Sequence, residues 1–96
     1  MNDFRAETHV AIYKLIDGMS VCTIKRDQIV DARFAKKIID ERQELLGDQA
    51  WPSLIVIPRQ HLLLENDAVQ FFGSKEGVAE TVAQAVVIQS SLRRVL

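Results

Sequence analysis

The pair Asp17–Gly18, set between two apolar runs, constrains this chain more than any other feature. A two-residue type I′ turn needs positive φ at both central residues, and Asp-Gly supplies it at low steric cost. On one side THVAIYKLI (8–16) is rich in Val, Ile and Tyr; on the other MSVCTIK (19–25) returns. Two such runs joined by such a turn predict a β-hairpin. Helices must then pack on a sheet rather than on each other.

After the polar break Arg26–Gln28 the apolar period changes from two to helical spacing. Asp31 is placed to cap a helix, and Phe34, Ala35, Ile38, Ile39, Leu45 and Leu46 recur at intervals of three, four or seven. Lys36, Lys37, Asp40, Glu41 and Glu44 fall on the opposite face, and Gly47 supplies a left-handed stop. This predicts an amphipathic helix of about four turns lying over a sheet. Trp51–Pro52 interrupts, and SLIVI (53–57) is a short apolar run of the kind covered on both faces in parallel sheets. Pro58 ends it. Hairpin, helix and buried strand imply a right-handed crossover between the second and third strands.

A second helix is expected from Glu65 or Asn66, with Ala68, Val69, Phe71 and Phe72 inward and Gly73 and Gly77 bracketing its end. TVAQAVVI (81–88) reads as a fourth strand, and SLRRVL (91–96), capped by Ser90 or Ser91, as a final short helix. The expected fold is α/β: an N-terminal β-hairpin followed by βαβαβα, giving a mixed, mostly parallel four-stranded sheet with helices packed on it. A final helix of under two turns is unstable without partners. Either it docks on the sheet or the chain is a truncated form of something longer.

Composition narrows the function classes. The 96 residues suit one domain (1–96). With 48% hydrophobic and 26% charged residues the chain lies far from disordered compositions. Twelve basic against thirteen acidic residues leave a net charge of -1, which argues against a dedicated nucleic-acid binder. The adjacent pairs Lys36–Lys37 and Arg93–Arg94 read as solvated helix faces. One cysteine, Cys22, excludes an internal disulfide and a multi-cysteine metal site; within an apolar run it reads as a small buried hydrophobe. Met1–Glu7 holds no signal-like apolar stretch and no 18-residue apolar run occurs, so no membrane association is expected and the cytoplasm is the expected compartment.

Catalytic motifs are lacking: no Gly-rich phosphate loop, no HExxH, no paired cysteines and no G-x-S-x-G elbow. His9 and His61 lie far apart in the chain, with His9 expected at the surface. Neither an enzyme nor a cofactor nor a metal site is expected. The segment PRQHLLLEND (58–67) leaves the C-terminal end of an expected parallel strand, where open α/β sheets place ligands. Arg59, His61, Glu65, Asn66 and Asp67 there offer an anion contact, a proton carrier and carboxylates. The same residues also have ordinary work: Asn66 as a helix cap, acids at the positive helix end, Arg59 and His61 solvated. Lys75–Glu76, between two glycines, reads as a loop. The triplet Leu62–Leu64 reads as a plug against the core, or as an interaction site where exposed.

The order hairpin, helix, buried strand, short helix, strand, helix resembles that of the STAS domains, the fold of bacterial anti-sigma-factor antagonists. The stretch WPSLIVIPRQHLLLENDAVQFFGSKEG, followed by AQAVVIQSSLRRVL, is similar to a less characterised bacterial STAS-like group. Antagonist STAS domains present a phosphorylatable serine at the start of the helix after the third strand. Here that region reads Glu65-Asn66-Asp67-Ala68, so Asn66 or Asp67 occupies the serine's place and a phosphoserine switch is not implied. Members of the group also continue with another strand and helix. Ending at Leu96 would leave a sheet edge open and favour a homodimer or a covering partner. The resemblance implies a non-enzymatic, regulatory protein–protein interaction module with an unidentified protein partner, acting through Arg59, His61, Glu65, Asn66 and Asp67. The alternative is a small-ligand domain for a lipid or nucleotide, lined by Leu62–Leu64, Phe71 and Phe72.

Overall fold

Strict alternation of buried and open side chains builds the sheet. In the structure, a computed structural model that describes residues 4–47, 51–58, 63–78 and 81–88, β2 (Ala11–Ile16) buries Ala11 and Tyr13. β3 (Met19–Ile24) buries Ser20, Cys22 and Ile24. The turn between them is the expected one, with Asp17 at φ 51° and Gly18 at φ 77°. Tyr13 faces Cys22 across the antiparallel pair. β5 (Trp51–Ile57) runs parallel to β3, and β7 (Thr81–Ile88) parallel to β5. Pro52 has no N–H for the ladder, and the β5–β7 register shifts by one residue at Trp51/Pro52.

The described sheet has five strands rather than four, in the order β1-β2-β3-β5-β7. The added strand is β1 (Phe4–Glu7), antiparallel to β2. It is equally mixed: two antiparallel and two parallel pairings. The expected first strand from Thr8 is split, because Thr8 turns the chain: its N–H donates to the Ala11 carbonyl at 2.9 Å, and its Oγ1 accepts from the Val10 and Ala11 amides. His9 lies exposed in that turn. Lys25 closes the corner, donating to the Thr8 carbonyl at 2.8 Å and pairing with Glu7 at 2.6 Å. A side ladder joins β4 (Ile29–Val30) in parallel to β6 (Leu63–Leu64).

α1 (Ala32–Leu46) starts where expected: the Asp31 carboxylate accepts from the Phe34 amide at 2.9 Å, and Gly47 closes the helix at φ 77°. Ala35, Ile38 and Ile39 are buried against Tyr13, Cys22, Ile24, Ile55 and Ile57, with Ala68 and Phe72 of α2 (Asn66–Phe72) in the same core. Val69, expected inward, is exposed. Its neighbours on the core-facing stripe of this two-turn helix are Ala68, Phe71 and Phe72, and position 69 points away from them. Leu54 and Val56 correct another expectation. They lie on the sheet face opposite the helices and are half-buried, shielded sideways by Val21, Thr23 and Val87 across the ladders. The expected final helix, 91–96, lies outside the described residues.

Candidate functional site

Two features emerge: a polar network inside the molecule and an apolar ridge on its surface. The network starts on α1. Arg42 is one helical step beyond Ala35, Ile38 and Ile39, so the apolar stripe carries it under the helix, where it is 3% exposed. Its Nη1 donates to Ser53 Oγ of β5 at 3.2 Å and to Gln84 Oε1 of β7 at 2.5 Å, and its Nη2 to the Gly77 carbonyl at 3.5 Å. The Gln84 amide nitrogen donates to the carbonyls of Phe72 and Gly77, at 2.7 and 3.2 Å. Helix, two strands and the end of α2 are thus tied by side chains that each use several hydrogen-bonding positions.

Next to it, Glu41 accepts from Tyr13 Oη at 2.7 Å and from Thr8 Oγ1 at 2.9 Å. Glu41 therefore does not belong to the solvated face where the periodicity placed it; a long side chain beside the stripe can reach back over the sheet. Lys36 and Asp40 do remain outside, paired at 3.1 Å, with Lys36 also meeting Glu76 at 3.2 Å. Cys22 is fully buried, and burial pushes its thiol up to about 12. Tyr13 is shifted the same way, first by burial and then by Cys22 and Glu41.

These shifts predict alkaline loss of stability. The native state keeps a thiol proton that the unfolded chain releases near its ordinary value of 9.0, so the stabilisation is complete below that pH and is lost as pH rises toward about 12. Urea unfolding between pH 8 and 11 is expected to show a fall of roughly 1.4 kcal/mol per pH unit above pH 9. In Cys22→Ala the fall should begin about one unit later, where Tyr13 takes over. A flat profile in the wild type would contradict the assignment.

The ridge is β4–β6. Ile29 and Leu63 are register partners, 62% and 55% exposed, while Val30 is buried and Leu64 packs on the core. Backbone bonds from Leu63 to Gln28 (3.1 Å) and from Glu65 to Val30 (2.9 Å) hold the two segments together. Glu65, Asn66 and Asp67 follow directly and are all exposed, so three of the five residues singled out in the sequence share one surface with this pair. Arg59 and His61 lie outside the described residues, as does Leu62. Asn66 is not the cap: Glu65 holds that position, without a side-chain cap bond.

Phe72 belongs to the core cluster, with Leu64 and Phe71 packed against it. Among the described residues no group of three His, Cys, Asp or Glu side chains is placed to hold a metal, and no helix is long and apolar enough to cross a membrane. Sequence reasoning missed Arg42, Ser53 and Gln84; the signals that could have found them are a charged residue on an apolar stripe and polar residues within strand runs. The Ile29–Leu63 pairing, 34 positions apart, left no local signal. No protein family, no characterised protein and no solved structure matches this chain.

Proposed function

We propose that this chain is a non-enzymatic, STAS-like protein–protein interaction module with a regulatory role. It docks a partner through the β4–β6 ridge and the first turn of α2. The observation that carries this reading is the side-by-side exposure of Ile29 and Leu63 beside Glu65, Asn66 and Asp67. Two large apolar side chains in one open ladder keep an unburied surface that a partner would cover. The acidic rim selects a partner with basic residues around an apolar contact. With no hydroxyl at position 66 or 67, the surface carries its charge permanently and works without a phosphoserine switch. Support for the STAS-like part comes from the element order and from β3, β5 and β7 lying as parallel neighbours.

The test compares the wild type with Ile29→Asp/Leu63→Asp as baits in native extract, with bound proteins quantified by mass spectrometry. Both positions are exposed, so the variant should keep its fold and circular dichroism spectrum. A specific partner should be lost by a factor of about 30 or more, the loss expected for central apolar contacts. Equal retention by both baits would sink the surface assignment.

A further inference from the structure

A sheet with one face in water alternates apolar residues inward with polar residues outward. The five-stranded sheet departs from that pattern. Its described helices lie on one face only: α1 and α2 pack against Tyr13, Cys22, Ile24, Ile55 and Ile57, and the positions between these point the other way. On that second face Ile12, Thr23, Val56 and Val87 form one cross-strand row. Val21, Leu54 and Ala85 form the next, continued on β2 by Lys14. Ile16 and Met19 follow at the hairpin end. Met19 is 39% exposed and Val87 44%. β3, β5 and β7 contain no charged residue. The charges of this face are confined to one flank: Arg5 and Glu7 on β1, Lys14 beside Arg5, and Lys25 paired with Glu7.

We infer that a second copy of the chain covers this face, in a two-fold dimer of sheets packed face to face. At ordinary strand spacing the face is about 24 Å wide and 17 Å long, on the order of 400 Å² in plane. That is as large as the apolar patches single proteins leave open. Two copies, with side-chain relief, bury on the order of 1,200 Å² in total, the size at which specific interfaces begin. The charge pattern selects the arrangement. A two-fold axis along the strands, between β3 and β5, sets β3 over β5 of the second copy and β2 over its β7. Val21 then meets Leu54 of the second copy, and Ile12 meets its Val87. The Lys14 stem crosses the small Ala85, so that its ammonium reaches water past the β7 edge. The basic flanks fall at opposite ends of the dimer, whereas an axis across the strands would stack them against each other. This surface shares no residue with the β4–β6 ridge.

Sedimentation velocity of the full chain, from low micromolar to submillimolar concentration, should show a monomer–dimer equilibrium. Met19→Lys and Val87→Lys lie at exposed positions in opposite corners of the face, so each should keep its fold and circular dichroism spectrum. Each should raise the dimer dissociation constant about tenfold or more. Because Lys14 faces Ala85 across the axis, Ala85→Lys should weaken the dimer as much, and Ala85→Glu should not. Ile29→Asp/Leu63→Asp should dimerise as the wild type does, which separates this interface from the ridge. A wild type monomeric throughout, or a dimer that withstands both Met19→Lys and Val87→Lys, would overturn the assignment. So would loss through Val87→Lys alone, which marks pairing at the β7 edge, or loss in Ile29→Asp/Leu63→Asp. Equal loss in the two Ala85 variants would overturn the axis.

Discussion

Gly77→Ala is expected to destabilise the protein by about 3 kcal/mol or more and to lower Tm by more than about 12 °C. The reason is close approach. A Cβ at Gly77 would lie far inside van der Waals contact with the Phe71 carbonyl oxygen and 2.9 Å from the Phe72 backbone. Those atoms are the end of α2 and cannot swing aside as a side chain would. Gly77 is also held on its other sides: its amide donates to Ser74 Oγ at 3.1 Å, and its carbonyl accepts from Arg42 and Gln84. Moving it away would open the polar network. Gly73→Ala is the control, because its Cβ would meet only ordinary contacts, the nearest at 3.8 Å, at a φ of -90°. Thermal unfolding of the two variants should separate them by most of the expected shift. Equal melting temperatures would mean that the backbone around Gly77 adapts more freely than this packing allows.

Arg42→Met should cost about 3 kcal/mol, since each hydrogen bond from a charged group contributes roughly 1.5–3 kcal/mol and several are lost together. Methionine retains the apolar stem, so the loss reports the guanidinium rather than the packing. Ser53 Oγ, Gln84 Oε1 and the Gly77 carbonyl would each lose a donor. Gln84 Oε1 keeps the Ser53 hydroxyl at 3.1 Å and the Gly77 carbonyl keeps the Gln84 amide, so the penalty comes mainly from the lost charge-assisted bonds. Removing Gln84 as well would strand the Phe72 and Gly77 carbonyls. Arg42→Met/Gln84→Met is therefore expected to be less stable than the single variant, read by urea unfolding with unchanged m. A double variant as stable as the single one would show that Gln84 acts through something other than these contacts.

What the sequence determined follows from short-range physics. Asp17–Gly18 fixes the hairpin because few residue pairs tolerate positive φ twice in succession. Asp31, the 3.6-residue stripe and Gly47 fix α1 because caps and periodicity are local. Burial of Cys22 followed from its place in an alternating strand. The tertiary structure decided what depends on partners distant in the chain. β1 is four residues with two charges, too short to announce itself, and exists because Lys25 and the β2 edge hold it. Arg42 occupies the interior and Glu41 turns in from the solvated face because Ser53, Gln84 and Tyr13 arrive from other strands to meet them. Ile29 and Leu63 became a surface only when β4 and β6 paired, bringing them beside Glu65, Asn66 and Asp67. Hydrophobic pattern selects which side of an element faces inward; the neighbours that make a buried charge tolerable, or an exposed apolar pair contiguous, are set only when the chain closes on itself.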